Sequence, residues 1–246
     1  MKILFTLYLI CCTSAFSQTL NVSGSANVGT LIQQGGAASS ANPFTLVQTN
    51  GGNYNPGDLT VTLTSPATVG NLFVVFIKWE TGGEFTGVTL GSQSFTAGTK
   101  TSHGSVGLFG RFFYILSADN TSSTIQTTGT GTRDWVTVTV FEFSATGTHS
   151  LAAEGAASSG TSSSVASGSF NPGVDAGLAL GGYGEYATLT VSDKQIGTTA
   201  ATGSVQNLQT HAWYLLFSSA LGSVTANCTL SSSSEWVCPS ISFKSL

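Results

Sequence analysis

Charge is what this chain has least of. Asp, Glu, Lys and Arg make up 7% of its 246 residues, against about 25% in ordinary soluble domains. The few basic residues, Lys100, Arg111, Arg133, Lys194 and Lys244, stand apart from one another and the formal charge is −4, which excludes a phosphate-binding surface and with it nucleic acid. Helical periodicity is also missing: no segment repeats its apolar residues at three and four with caps at its ends. Beyond the first residues, no apolar run reaches the about 20 residues needed to cross a bilayer, so no membrane span is expected. In place of charge stand Ser, Thr, Asn and 30 Gly, interleaved with Val, Phe, Leu and Ile. That mixture makes pleated sheets with neutral, hydroxyl-bearing faces.

The N-terminus reads as an export signal. Met1-Lys2 gives a positive start, Ile3 to Cys12 an apolar stretch, and Thr13 to Ser17 the small residues of a cleavage site. Residues 1–17 are therefore expected to be removed and the remainder secreted. Loss of Lys2 takes the formal charge from −4 to −5, and loss of Cys11 and Cys12 leaves only Cys228 and Cys238. Both lie in a segment that reads as two extended stretches joined by the Ser231–Ser234 turn. An even count in an oxidising compartment predicts a disulfide between them. Residues 18–42 are rich in Gly, Ser, Ala and Asn and read as a loose lead-in; Leu20, Val22, Ala26 and Val28 could alternatively form a strand that completes a neighbour's sheet.

From Phe44 onward the apolar period is two. Leu59 to Thr64 alternates apolar with Thr. Leu72–Trp79, Leu108–Leu116 and Trp135–Phe143 are apolar on both faces, which marks central strands. Turn-forming Asn50-Gly51-Gly52-Asn53, Asn55-Pro56-Gly57-Asp58 and Asn171-Pro172-Gly173 fall between strands. Many short strands over about 200 residues predict an all-β protein: one domain at 43–246, a two-sheet antiparallel β-sandwich of jelly-roll type.

Several segments together resemble a known kind of module. They are the strand ending at Trp79, the Val88-Thr89-Leu90-Gly91 hairpin, Tyr114 to Ala118, Val138 to Ser144 with Gly147, and Ile241 to Lys244. The chain from Phe44 to Lys244 resembles jelly-roll, concanavalin-like modules of secreted bacterial and phage-associated proteins, most of them without an assigned activity. The resemblance implies the fold and an extracellular setting.

Two groups of residues could carry chemistry. Glu142 shares a strand face with Val136, Val138 and Val140, where a lone carboxylate is costly unless paired. It is expected to pair with Lys78 or Arg111; the alternative makes Glu142 and Glu185 the two carboxyls of a glycoside hydrolase. The second group is Trp79, Glu80 and Glu84 with Tyr183, Glu185 and Tyr186, aromatics and acids in Gly-rich loops. Such a set suits sugar rings, which stack on aromatic faces while their hydroxyls donate to carboxylates. Trp79 and Tyr183 could equally be core residues capping the sandwich ends, and that is the favoured reading of those two.

No Gly-x-Ser-x-Gly elbow is present, and His103, His149 and His211 are scattered. No cofactor motif and no dedicated metal loop is found. The first expectation is thus a non-catalytic extracellular binder of polysaccharide or cell-surface glycan. A self-associating subunit of a filament, coat or fibre is the second expectation, and the hydrolase the third.

Overall fold

The computed structural model describes residues 42–54, 57–173 and 176–246; the expected signal peptide and nearly all of the lead-in lie outside them. Eighteen strands and no helix occupy the described residues, and every pairing is antiparallel. Hydrogen bonding divides the strands into three sheets rather than two.

The central sheet has the order β1 (Phe44–Tyr54), β9 (Asp134–Ala145), β3 (Leu72–Glu80), β7 (Leu108–Ile115) and β6 (Thr96–His103). A small sheet of β2 (Thr60–Thr62), β8 (Thr124–Thr130), β4 (Glu84–Leu90) and β5 (Gln93–Ser94) covers one of its faces. The third sheet covers the other. It comprises β10 (His149–Glu154), β18 (Ser240–Ser245), β12 (Gly177–Glu185), β16 (Thr210–Phe217) and β15 (Gly203–Asn207), continued by β17 (Ala226–Val237), β11 (Ser159–Ala166), β13 (Val191–Ile196) and β14 (Thr199–Ala200).

This layering explains why β3, β7 and β9 are apolar on both sides. Along β3, Phe73, Val75, Ile77 and Trp79 enter the core shared with the small sheet, while Leu72, Val74 and Phe76 enter the core shared with the third sheet. Alternation continues through Lys78, which points the same way as Phe76. Opposite it, β12 carries glycines so that the two sheets can close: a Cβ at Gly182 would lie 2.8 Å from the Phe76 ring, and one at Gly184 would lie 2.5 Å from Lys78 Cγ. The Asn50–Asn53 segment, expected as a turn, is instead the middle of β1, paired residue by residue with β9.

The third sheet folds back on itself around a third core containing Tyr183, Trp213, Leu215, Cys228, Trp236 and Cys238. The Trp236–Val237 end of β17 pairs with β12, whereas its Ala226–Leu230 end pairs with β13. Twelve residues of straight strand would separate Ala226 from Cys238 by about 40 Å, yet Cys238 Sγ lies 3.8 Å from the Ala226 carbonyl. Strand β11 bends in parallel, with Ser158 Oγ donating to the Ala166 carbonyl at 2.7 Å. The chain therefore reverses at the Ser-rich segment as a β-arch, its two limbs stacked in separate layers. The expected disulfide is not formed: Cys228 and Cys238 are buried free thiols.

Candidate functional site

At one end of the central sheet, β3 delivers three consecutive residues to different places. Trp79 goes to the core, where its Nε1 donates to Gly83 O at 2.8 Å and its ring packs on Phe85 and Phe109. Lys78 and Glu80 emerge on the other face as a buried ion pair. Lys78 Nζ also donates to Gln209 Oε1 at 2.8 Å and to the Trp135 carbonyl at 3.4 Å. Burial works against both charges: it lowers the Lys78 ammonium's hold on its proton and raises the Glu80 carboxyl, while their mutual attraction opposes each shift.

Glu185, at the end of β12, is fully buried beside this pair. It accepts from the Tyr183 hydroxyl and from Leu189 N at 3.0 Å. Burial raises its carboxyl above the ordinary range despite those donors and the nearby Lys78 charge. The same burial, together with the Glu185 carboxylate, raises the Tyr183 hydroxyl. Tyr186 closes the cluster: its ring centroid is 6.0 Å from Lys78 Nζ, its hydroxyl donates to the Val106 carbonyl, and its own carbonyl accepts from Gln209 Nε2.

Two exposed apolar residues border this buried polar cluster: Trp135, whose carbonyl accepts from Lys78, and Leu208, the chain neighbour of Gln209. Strands β3 and β9 change register between Lys78 and Glu80, pairing Lys78 with Thr137 but Glu80 with Asp134. This leaves Trp135 in a bulge, a feature that re-aims a side chain out of a ladder. Trp135 has φ +47° and is 51% exposed. Leu208 opens the two-residue turn between β15 and β16 with φ +45° and is 52% exposed. That turn position ordinarily takes Gly, Asn or Asp. Thr81, next to Glu80, has φ +68°. Among the described residues, three of the four non-glycine residues with positive φ thus surround Lys78, Glu80 and Gln209; the fourth, Asp193, is in β13. Backbone strain of this kind, of order 1–3 kcal/mol per residue, gathers where a site needs it.

Of the six residues expected to bind ligand, the structure brings Glu80, Tyr183, Glu185 and Tyr186 together. Trp79 and Tyr183 are core side chains and offer no open aromatic face. Glu84 lies elsewhere, bridging two sheets through Lys100 at 2.8 Å and Arg111 at 3.9 Å. The exposed aromatic of this region is Trp135, which sequence reasoning placed at the start of a central strand. Its only advance signal is its position as the first aromatic after the Gly131–Arg133 connection.

Glu142 pairs with neither Lys78 nor Arg111. Its two oxygens accept from Gln48 Nε2 at 2.5 Å, Asn71 Nδ2 at 2.6 Å and Thr68 N at 3.0 Å, so neutral amides rather than a cation surround it. Nor does it meet Glu185. Glu142 registers with Phe73 on β3, five residues or about 16 Å from Lys78, the β3 neighbour of Glu185. Carboxyl pairs of glycosidases stand at most about 9.5 Å apart. The two glutamates occupy opposite ends of the sandwich.

Among the described residues no group of three His, Cys, Asp or Glu side chains is arranged to hold a metal. Comparison of the chain with protein-family models, curated proteins and solved structures returned no match.

Proposed function

We propose that this protein is an exported, non-catalytic β-sandwich that binds polysaccharide or cell-surface glycan through Trp135. The single observation that carries the reading is an indole held half exposed, in left-handed backbone, beside a buried polar cluster. Left-handed strain gathers at functional positions, and here it presents a large aromatic face to solvent. A sugar ring would stack its C–H face on Trp135, with Leu208 as an apolar flank. Asp134, beside the indole in the chain, offers carboxylate oxygens to hydroxyls. The low charge of the chain suits neutral ligands, and the signal-like residues 1–17 support an encounter outside the cell.

The hydrolase reading finds no support in the separation of Glu142 from Glu185. The filament-subunit reading, with its self-association, draws on residues 18–42, which lie outside the described residues. Retention on a panel of immobilised neutral and acidic polysaccharides, compared with Trp135→Ala, tests the proposal. Retention by the parent and its loss in the variant is the expected result.

A further inference from the structure

The buried amine of Lys78 has an unusual set of neighbours. Its Nζ is 2.8 Å from the side-chain carbonyl oxygen of Gln209, which comes from a different sheet and lies 131 residues away in sequence. Gln209's amide nitrogen is held by the Tyr186 carbonyl. Glu80 contacts the same Nζ. Lys78 is fully buried and Glu80 nearly so. A primary amine, a carboxamide and a carboxyl group are thus held in contact, the amine fully buried, the carboxyl nearly so and the carboxamide half-buried.

We propose that Lys78 and Gln209 condense into an intramolecular isopeptide bond that joins the central sheet to the third sheet. Lys78 Nζ attacks Gln209 Cδ; the Nζ–Cδ bond forms, the Cδ–Nε2 bond breaks, and the amide nitrogen leaves as ammonia. Glu80 takes the proton released from Nζ and delivers it to the departing Nε2. Nothing is oxidised or reduced, and no co-reactant enters. The reaction needs an uncharged amine and a carboxyl able to hold a proton, and burial pushes Lys78 and Glu80 in those directions. Fixed contact supplies the effective concentration that makes an otherwise sluggish amide exchange feasible.

Other electrophiles are less well placed. Glu185 is engaged by Tyr183 and Leu189. Glu80 lies only two residues from Lys78 on the same strand, and condensation with either carboxyl would expel water instead of ammonia. A bond between Lys78 and Gln209 would close a loop of more than a hundred residues in a protein whose two described cysteines are unbridged. It would also anchor the cluster that borders Trp135, although it does not depend on what Trp135 binds.

The test is mass spectrometry of the purified full chain, denatured and digested with a protease that cuts at aromatic residues. The expected product is a branched peptide in which Lys78 and Gln209 are joined, lighter than its two linear parts by one ammonia. Linear peptides carrying unmodified Lys78 and Gln209 would overturn the proposal, as would a branch to Glu80 or Glu185 with loss of water. In Glu80→Gln, which keeps a hydrogen-bonding side chain, the branched peptide should be lost or strongly depleted. Undiminished branching in that variant would overturn the assignment of Glu80 as the proton carrier.

Discussion

Lys78 donates to the backbone carbonyl of Trp135, so the buried amine and the exposed indole belong to one hydrogen-bonded unit. The bond bridges the β3–β9 bulge at the point where register is lost. It gives the strained backbone at Trp135 a fixed partner, and it couples the exposed indole to the ionic cluster.

Trp135→Gly separates strain from binding. Glycine takes φ +47° freely, which offsets about 1–2 kcal/mol of left-handed cost against about 1 kcal/mol of added chain entropy. Stability by denaturant titration should stay within about 1 kcal/mol of the parent, while polysaccharide retention disappears.

At Glu142 the three amide donors aimed at the carboxylate set the cost of its removal. Glu142→Ala takes the acceptor from the buried Asn71 amide and from the part-buried Gln48 amide and Thr68 N–H, and should lower stability by about 3 kcal/mol. In a domain of this size that corresponds to a fall in melting temperature of about 6–12 °C. Retention on polysaccharide, measured below the new transition, should not change, because Glu142 lies at the other end of the sandwich.

These two residues also mark what could be read from the chain alone. The alternation of β3 and β9 exposes Glu142 as buried and puts Lys78 on the Phe76 face, because period two is a local property of strands. The partners of Glu142 stayed hidden. Gln48 and Asn71 are neutral and distant in sequence, and they carry no charge signature to match against a carboxylate. Two-faced apolar strands such as Leu72–Trp79 announce a covered sheet, but not that separate layers cover its two sides. The positive φ of Trp135 and Leu208 was illegible for a related reason: tertiary pairing imposes it against the residues' own preference. The Ser231–Ser234 reversal was visible, but as a hairpin; whether two limbs pair edge to edge or stack face to face depends on their neighbours β11, β12 and β13.

His211 gives the pH dependence a defined sign. It is buried against Tyr183 without a hydrogen-bond partner, and burial, reinforced by the Lys194 charge, lowers its pKa to about 4 from an ordinary 6.5. The unfolded chain therefore binds the proton first as pH falls. The stability due to the neutral ring is fully present above pH 6.5 and is lost progressively toward pH 4. The buried Glu80 and Glu185 carboxyls, raised by desolvation, contribute with the opposite sign, so the readout is a difference: in denaturant titrations across that window His211→Leu should lose less stability with acid than the parent.

Burial raises the Cys228 thiol to about 12 and the Cys238 thiol well above its ordinary value, so neither forms thiolate at neutral pH. Iodoacetamide should modify neither cysteine in the native protein and both after denaturation without reductant. Denatured, unreduced protein that takes up no label at these two positions would establish a bridge instead.

Solute quenching of tryptophan fluorescence addresses the central claim most directly. Of the four tryptophans, Trp79, Trp213 and Trp236 are buried and Trp135 is open, so iodide should reach one emitter, and Trp135→Phe should abolish that quenchable component. Saturation with a retained polysaccharide should shield the same component. If the protein binds a polysaccharide while Trp135 remains fully quenchable, or if Trp135→Ala binds as well as the parent, the indole is not the binding face.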